Sequence, residues 1–205
     1  MTKRINVFDE ISNNAGSRIR SMQWYKDQIN MAKSRGLLTK NKLTQYKSMI
    51  TPRLEIGSMY MFVYDAKFKD TLPYWDAFPI VLPFGWDNTS YTGFNLHYLP
   101  PEARWALLKE LMRNDEISTA RRLSKDTKLS MDYQSLKSAA QFTLLKPTIH
   151  KYLYGHVMPL NGGTFLKIHP SDWLLSVMLP VQDFRSKGRG FSTQKVWSDS
   201  MHGGL

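Results

Sequence analysis

The sequence contains no cysteine. That excludes disulfide cross-links, thiolate metal sites and cysteine nucleophiles, and it leaves the redox compartment open. Long apolar runs are also missing, so no stretch is expected to span a membrane. The opening Met1-Thr-Lys-Arg-Ile-Asn6 does not read as a secretory signal. Phosphate-loop chemistry is absent too: Asn161-Gly-Gly-Thr164 has no following Lys-Ser/Thr and does not open a helical pattern. No serine sits in a nucleophile elbow. There are no internal repeats and no long linker.

Metal chemistry has few candidate ligands. The five histidines are His97, His150, His156, His169 and His202; none forms an HExxH pattern and no pair sits four apart. Ordinary structural or surface roles suit them, and no metal or other cofactor is expected. The carboxylates Asp65, Asp70, Asp76 and Asp87 are spaced as turn formers rather than as a magnesium cage, which argues against a metal-dependent nuclease.

Acidic residues are scarce: 17 Asp and Glu stand against 28 Lys and Arg, a formal charge of +11. The imbalance is uneven. Residues 1–58 carry 11 Lys/Arg against 4 Asp/Glu, whereas residues 59–100 carry 2 against 4. Such asymmetry suits a polyanion or an acidic protein partner; the plainer reading is a solvated basic surface that aids solubility.

What is abundant is aromatic and apolar sequence between Gly57 and Leu99. Three runs, 57–64, 78–84 and 91–99, are punctuated by Gly, Pro, Asp and Asn and read as short antiparallel strands. In the first, Met59, Met61 and Val63 face one way and Tyr60, Phe62 and Tyr64 the other; both sets are apolar, so both faces are expected to be covered. Pro79 and Pro83 should mark strand ends, because proline cannot donate to a ladder. Gly93 suggests a bulge or strong bend. Leu72, Pro73, Tyr74 and Trp75 form a stiff apolar loop, read either as a partner contact or as core packing.

Around this β unit the pattern is helical and basic. Residues 1–16 contain Ser12-Asn-Asn-Ala-Gly16 and read as a flexible lead-in. Ile19, Met22, Tyr25, Ile29 and Ala32 share one helical face between a Ser17 cap and Gly36. A second helix is expected from Thr39 to Pro52, with Leu43, Tyr46 and Ile50 inward. Arg18, Arg20, Lys26, Lys33 and Arg35 on the first helix, and Lys40, Lys42 and Lys47 on the second, make a basic hairpin. It suits either phosphate contacts or a docked helix pair with wet lysines.

Pro100-Pro101-Glu102 opens a helix with Ala103, Leu107, Leu108 and Leu111 inward. Asp115 is expected to cap a separate short helix running to Arg122. Asp132 starts a further helix, with Tyr133, Leu136 and Ala140 facing inward, and residues 146–154 read as another helical turn or two. Residues 164–169 fit a fourth strand, and residues 171–179 a short helix ended by Pro180. Arg121, Arg122, Arg185, Lys187 and Arg189 are further candidate phosphate contacts. Phe191 and Trp197 either stack on bases or, for Trp197, anchor the tail to the body.

The expected fold is α+β: a small antiparallel SH3-like barrel with an N-terminal helical hairpin and docked helices. Three segments are expected: a basic arm over 1–56, a core over 57–183 and a basic tail over 184–205.

The aromatic centre also resembles a known pattern. Met59-Tyr-Met-Phe-Val-Tyr-Asp-Ala-Lys67, Asp70-Thr-Leu-Pro-Tyr-Trp-Asp-Ala-Phe-Pro-Ile-Val-Leu-Pro83 and Gly93-Phe-Asn-Leu-His-Tyr-Leu-Pro-Pro101 are similar to minor virion proteins of T-even-like tailed bacteriophages. Weaker likenesses follow at Lys151-Tyr-Leu153, Trp173, Leu179-Pro180 and Val196-Trp-Ser-Asp-Ser200. Ala66 stands where that pattern has proline, and Trp75 where tyrosine is usual. The likeness spans most of residues 57–200 and omits the N-terminal hairpin. It implies a non-enzymatic part of the phage particle, assembled in the host cytoplasm. Members carry descriptions such as DNA end protector or tail and baseplate component. The implied partners are neck, tail or baseplate proteins, with double-stranded DNA as a further candidate.

Overall fold

The computed structural model describes residues 7–15, 21–44, 49–120, 138, 141, 143–160, 162–188 and 191–202. Helix α1 (Val7–Ala15) replaces the expected flexible lead-in. Val7, Phe8 and Ile11 fall on one helical face and are buried in the main core, and this stripe outweighs the turn-forming Ser and Asn residues. Helix α2 (Met22–Ser34) starts at Ser21, whose hydroxyl accepts the Trp24 amide at 3.2 Å. Its Ile29 and Ala32 are buried as the periodicity required. Gly36 then turns the chain with a φ of 65°, the left-handed region where glycine is favoured. Helix α3 (Lys40–Leu43) is capped by Thr39 and is much shorter than expected. The end of the expected helix is strand β1 (Ile50–Thr51); residues 45–48 lie outside the described ones.

The main sheet has six strands in the order β1, β9 (Phe165–Ile168), β2 (Met59–Met61), β5 (Ile80–Trp86), β6 (Ser90–Asn95) and β7 (Ile149–Leu153). Its ladders are antiparallel throughout, with Met61 opposite both Ile80 and Leu166. Two short ribbons accompany it. One pairs β3 (Val63–Tyr64) with β8 (Val157–Met158), and the other pairs β4 (Trp75–Asp76) with β10 (Phe184–Arg185). The expected SH3-like barrel is therefore corrected to antiparallel sheets that do not close: β1 and β7 are the two edges of the main sheet and do not pair with each other.

Both faces of the sheet are covered, as the first strand required. Met59, Met61, Ile80, Leu82, Phe94, Leu166 and Ile168 join the main core with residues of α1 to α3. The opposite face carries a second cluster of Tyr60, Phe62, Tyr64, Val81, Tyr91, Tyr152 and Phe165. Phe62 sits at its centre, edge-on to Tyr64, Tyr91, Tyr152 and Phe165 at centroid distances of 5.2–6.3 Å.

Pro83 does not end its strand. β5 runs on to Trp86, and the register shifts between Pro83 and Gly85, a bulge that accommodates the missing N–H. Gly93 lies opposite Pro83, where a Cβ would stand 2.4 Å from Val81 Cγ1 and 2.8 Å from Leu82 O.

Other elements differ from the periodicity. Helix α4 (Pro101–Ala120) runs without a break past Asp115, so no separate helix starts there. Residues 149–153 are strand β7, entered from a 3-10 turn over Thr143–Thr148. The helix expected from Asp132 lies outside the described residues. Strand β9 and helix α5 (Trp173–Ser176) fall where expected. Helix α6 (Thr193–Met201) was not anticipated; Ser192 caps it, and its Val196 packs with Tyr74 and Tyr98. Trp197 anchors this helix, its indole N–H donating to His97 O at 2.9 Å.

Candidate nucleic-acid interface

An aromatic slot lies on the side of the second cluster. Its near wall is the chain that leaves β3. After Asp65 the backbone makes a helical turn, with the Leu72 amide donating to Phe68 O at 3.0 Å, and then extends through Pro73 and Tyr74 into β4. β10 fixes that wall from behind, helped by Ser186 Oγ donating to Pro73 O at 2.7 Å. The far wall is β7, which presents His150, Lys151 and Tyr152, together with Tyr98. The volume between them is about 220 Å³.

The rings are held rather than loose. Tyr98 lies 4.0 Å from His150, and Tyr64 lies edge-on to Tyr152 at 4.9 Å. Tyr74 is buried against Tyr98, and burial with Asp199 nearby pushes its hydroxyl pKa up to about 12. Phe68 is the exception: it is 59% exposed, at the slot's mouth. Lys67 Nζ stands 5.4 Å from the Phe68 ring and has no carboxylate partner among the described residues. Lys151 marks the other side of the slot and pairs with Asp87 at 3.0 Å.

Beneath the slot lies an enclosed polar network. Asp76 Oδ2 accepts His97 Nδ1–H at 2.7 Å and Asn95 Nδ2–H at 3.2 Å; Oδ1 accepts the amides of Phe78 and Asp183 at 3.0 and 3.3 Å. Burial would raise the Asp76 pKa, but His97 and these donors outweigh it and hold the carboxyl below its ordinary value. Burial lowers His97 more than Asp76 raises it, so a neutral imidazole donates to a carboxylate. The pair has the composition of a catalytic dyad, and the His97 and Asp76 side chains are only 0% and 1% exposed.

His97 O also accepts Arg104 Nη2–H at 3.1 Å, while Arg104 Nε–H donates to Leu99 O at 2.6 Å. Arg104 is wholly buried, beside the Trp197 ring at 5.5 Å, and burial pushes its pKa down to about 9. The network thus ties β4, α4 and α6 to one point under the slot.

A second hollow of about 230 Å³, lined by Pro52, Arg53, Leu54, Trp86 and Tyr154, lies on the same face. Trp86, Tyr91 and Tyr152 are successive cross-strand partners, and the Tyr91 and Tyr152 rings stack at 5.3 Å. Asp87 is a turn former as expected. The Thr89 amide, the Ser90 hydroxyl and Lys151 hold its carboxyl well below the usual range.

The basic residues singled out from the sequence fall into three groups. Arg18, Arg20, Lys47, Arg121, Arg122 and Arg189 lie outside the described residues. Lys26 pairs with Glu102, Arg35 with Glu10, Lys40 with Asp183, Arg185 with Asp183, and Lys187 with Asp70. Lys33 and Lys42 are exposed without a carboxylate partner among the described residues. The loop Leu72, Pro73, Tyr74 and Trp75 forms one wall of the slot.

Sequence reasoning missed Lys67, Phe68, Tyr98, His150 and Lys151. Lys67-Phe68 is set between two turn-forming aspartates, and Lys67, Tyr98 and Lys151 fall within the motifs of the resemblance, but the elements that carry them are distant in the chain. Among the described residues no group of three or more His, Asp or Glu is placed to hold a metal ion, and no helix is long and apolar enough to cross a membrane.

No curated protein and no solved structure matches the chain. A family model does, over residues 3–200, and it is described as the phage T4 terminal DNA protecting protein. The match takes in both the slot and the N-terminal helices that the earlier resemblance left out. The chain therefore belongs to the family of the phage T4 terminal DNA protecting protein.

Proposed function

We propose that this protein is a non-enzymatic part of a phage particle that binds the ends of packaged duplex DNA and shields them. The observation that carries this reading is the family match over residues 3–200. The charge of +11, Lys33 and Lys42 of the N-terminal helices, which have no carboxylate partner among the described residues, and Lys67 beside the slot support it. Arg18, Arg20, Lys47, Arg121, Arg122 and Arg189 contribute to that net charge. The site of action is the head–tail region, where a packaged end is presented.

The test is protection of linear duplex DNA from an end-directed exonuclease, with binding followed across salt concentrations. Stoichiometric protection, affinity that falls steeply with salt and no cleavage in magnesium are the expected results. A flat salt response, or no binding at low salt, refutes the proposal.

A second reading makes the protein a tail or baseplate subunit that works by protein contacts alone. The ion pairs that neutralise Lys26, Arg35, Lys40, Arg185 and Lys187, and the exposed Phe68, Leu72 and Trp86, favour it. Fixed-stoichiometry co-purification with tail or baseplate proteins, independent of DNA, would select it.

A further inference from the structure

Lysines and arginines cannot by themselves tell a DNA end from its middle. Phosphates repeat along the whole duplex, and contacts to them fix position without reading what is bound. An end differs in its terminal 5′ and 3′ groups and in its stacking: the last base pair has an uncovered face and only one stacked neighbour. A base there leaves the stack more readily than an interior base, which loses two neighbours.

We propose that the aromatic slot between Phe68 and Tyr152 takes the terminal nucleobase of duplex DNA; this rests on the end-binding reading above. The volume suits one base. At about 220 Å³ it falls below the roughly 300–1,000 Å³ of pockets that take whole drug-sized ligands. The lining supplies what a base requires: Tyr64, Tyr74, Trp75, Tyr98 and Tyr152 around the cavity, and the exposed Phe68 ring at its mouth. The two cations stand where the adjoining phosphates would run, Lys67 beside Phe68 and Lys151 on the opposite side. Among the described residues Lys67 has no carboxylate partner, so its ammonium can meet an anion from beside the Phe68 ring.

The slot is also preorganised. β10 braces one wall and the Asp76 network lies beneath it, so little ordering is needed when a base enters. Selectivity for ends then comes from the slot, and general affinity from the basic surface.

The experiment compares two duplexes of equal length, one with open blunt ends and one closed at both ends by hairpin loops. Each carries 2-aminopurine at a terminal or a central position, and the full chain is used. The intact protein should bind the open duplex roughly 5- to 140-fold more tightly, the span expected of one base–aromatic stack. It should quench terminal 2-aminopurine and leave the central probe unchanged. Phe68→Ala should abolish both the preference and the quenching while keeping affinity for the closed duplex. Phe68 is exposed, so the fold should survive this change. Lys67→Ala is the second variant and should weaken open-end binding more than closed-duplex binding.

Equal affinity of the intact protein for open and closed duplexes overturns the inference and leaves general DNA binding standing. An end preference that both variants retain overturns it too. If in addition Phe68→Ala binds DNA normally but fails to join the particle, the slot belongs to a protein partner. Failure to bind either duplex at low salt refutes the end-binding reading itself.

Discussion

Replacing Arg104 should destabilise the protein more than almost any other single change, although the residue touches no ligand. Its guanidinium is fully enclosed and donates to Leu99 O at 2.6 Å, His97 O at 3.1 Å and Val177 O at 3.4 Å. The first two are short, charge-assisted bonds, each worth about 1.5–3 kcal/mol. Their joint loss is about 3–6 kcal/mol. Relief from burying a cation offsets part of it, which leaves about 4 kcal/mol for Arg104→Ala. Arg104→Met fills the space without a charge and should cost about 2 kcal/mol. Arg104→Lys keeps the charge but lacks the fork that reaches several carbonyls, and should cost about 3 kcal/mol. Urea unfolding reads these values. With a slope of about 2 kcal/mol per molar, Arg104→Ala should lower the midpoint by about 2 M. A shift below about 0.5 M at unchanged slope would refute the view that this arginine pins α4 and α6 beneath the slot.

The remaining predictions concern backbone, acid and charge. Gly93→Ala should cost about 1–3 kcal/mol in thermal unfolding, because its methyl would overlap Val81 and the Leu82 carbonyl; a loss under about 0.5 kcal/mol would mean that β5 yields at the bulge. Stability should fall as the pH drops from about 6.5 to about 4. Burial holds His150 at a pKa of about 4 against an ordinary 6.5, so in that window the unfolded chain binds the proton that the folded chain refuses. His150→Gln should flatten this part of the curve, and an unchanged slope would count against the assignment. Lys33→Ala and Lys42→Ala should each weaken duplex binding and reduce the logarithmic salt slope by about 0.9. Mutants that keep the parent slope would remove the hairpin from the interface.

The asymmetry between charge and aromatic content has a simple physical basis. Exposed cations lose little by pairing with nearby carboxylates, and Lys26–Glu102 and Lys187–Asp70 are such surface pairs. A phosphate backbone competes with partners of that kind in water. The aromatic rings have no such alternative, because they are locked edge-to-face in a second core, and their geometry is fixed before any ligand arrives.

Local pattern alone determined the strand faces, the helix start at Thr39 and the turn at Gly36, whereas the cap of α2 is Ser21 and not the expected Ser17, and α3 ends at Leu43. Alternating Met59/Tyr60/Met61/Phe62 is apolar on both sides, and a strand with that pattern must be covered on both. Thr39 sits at a helix N-cap, Gly36 turns the chain through positive φ and Asp87 closes a turn, because each uses only neighbours in the chain. The tertiary structure decided the rest. Residues 149–153 became a strand because β6 offered an open edge, and α1 formed because Val7, Phe8 and Ile11 found a core to enter. The slot was illegible in the sequence because its walls come from the segment near residue 70, from β7 and from Tyr98, brought together only by sheet pairing. Asp76 looked like one more turn former; only burial beside His97 made it the anchor of a network, since an environment is a property of contacts and not of sequence.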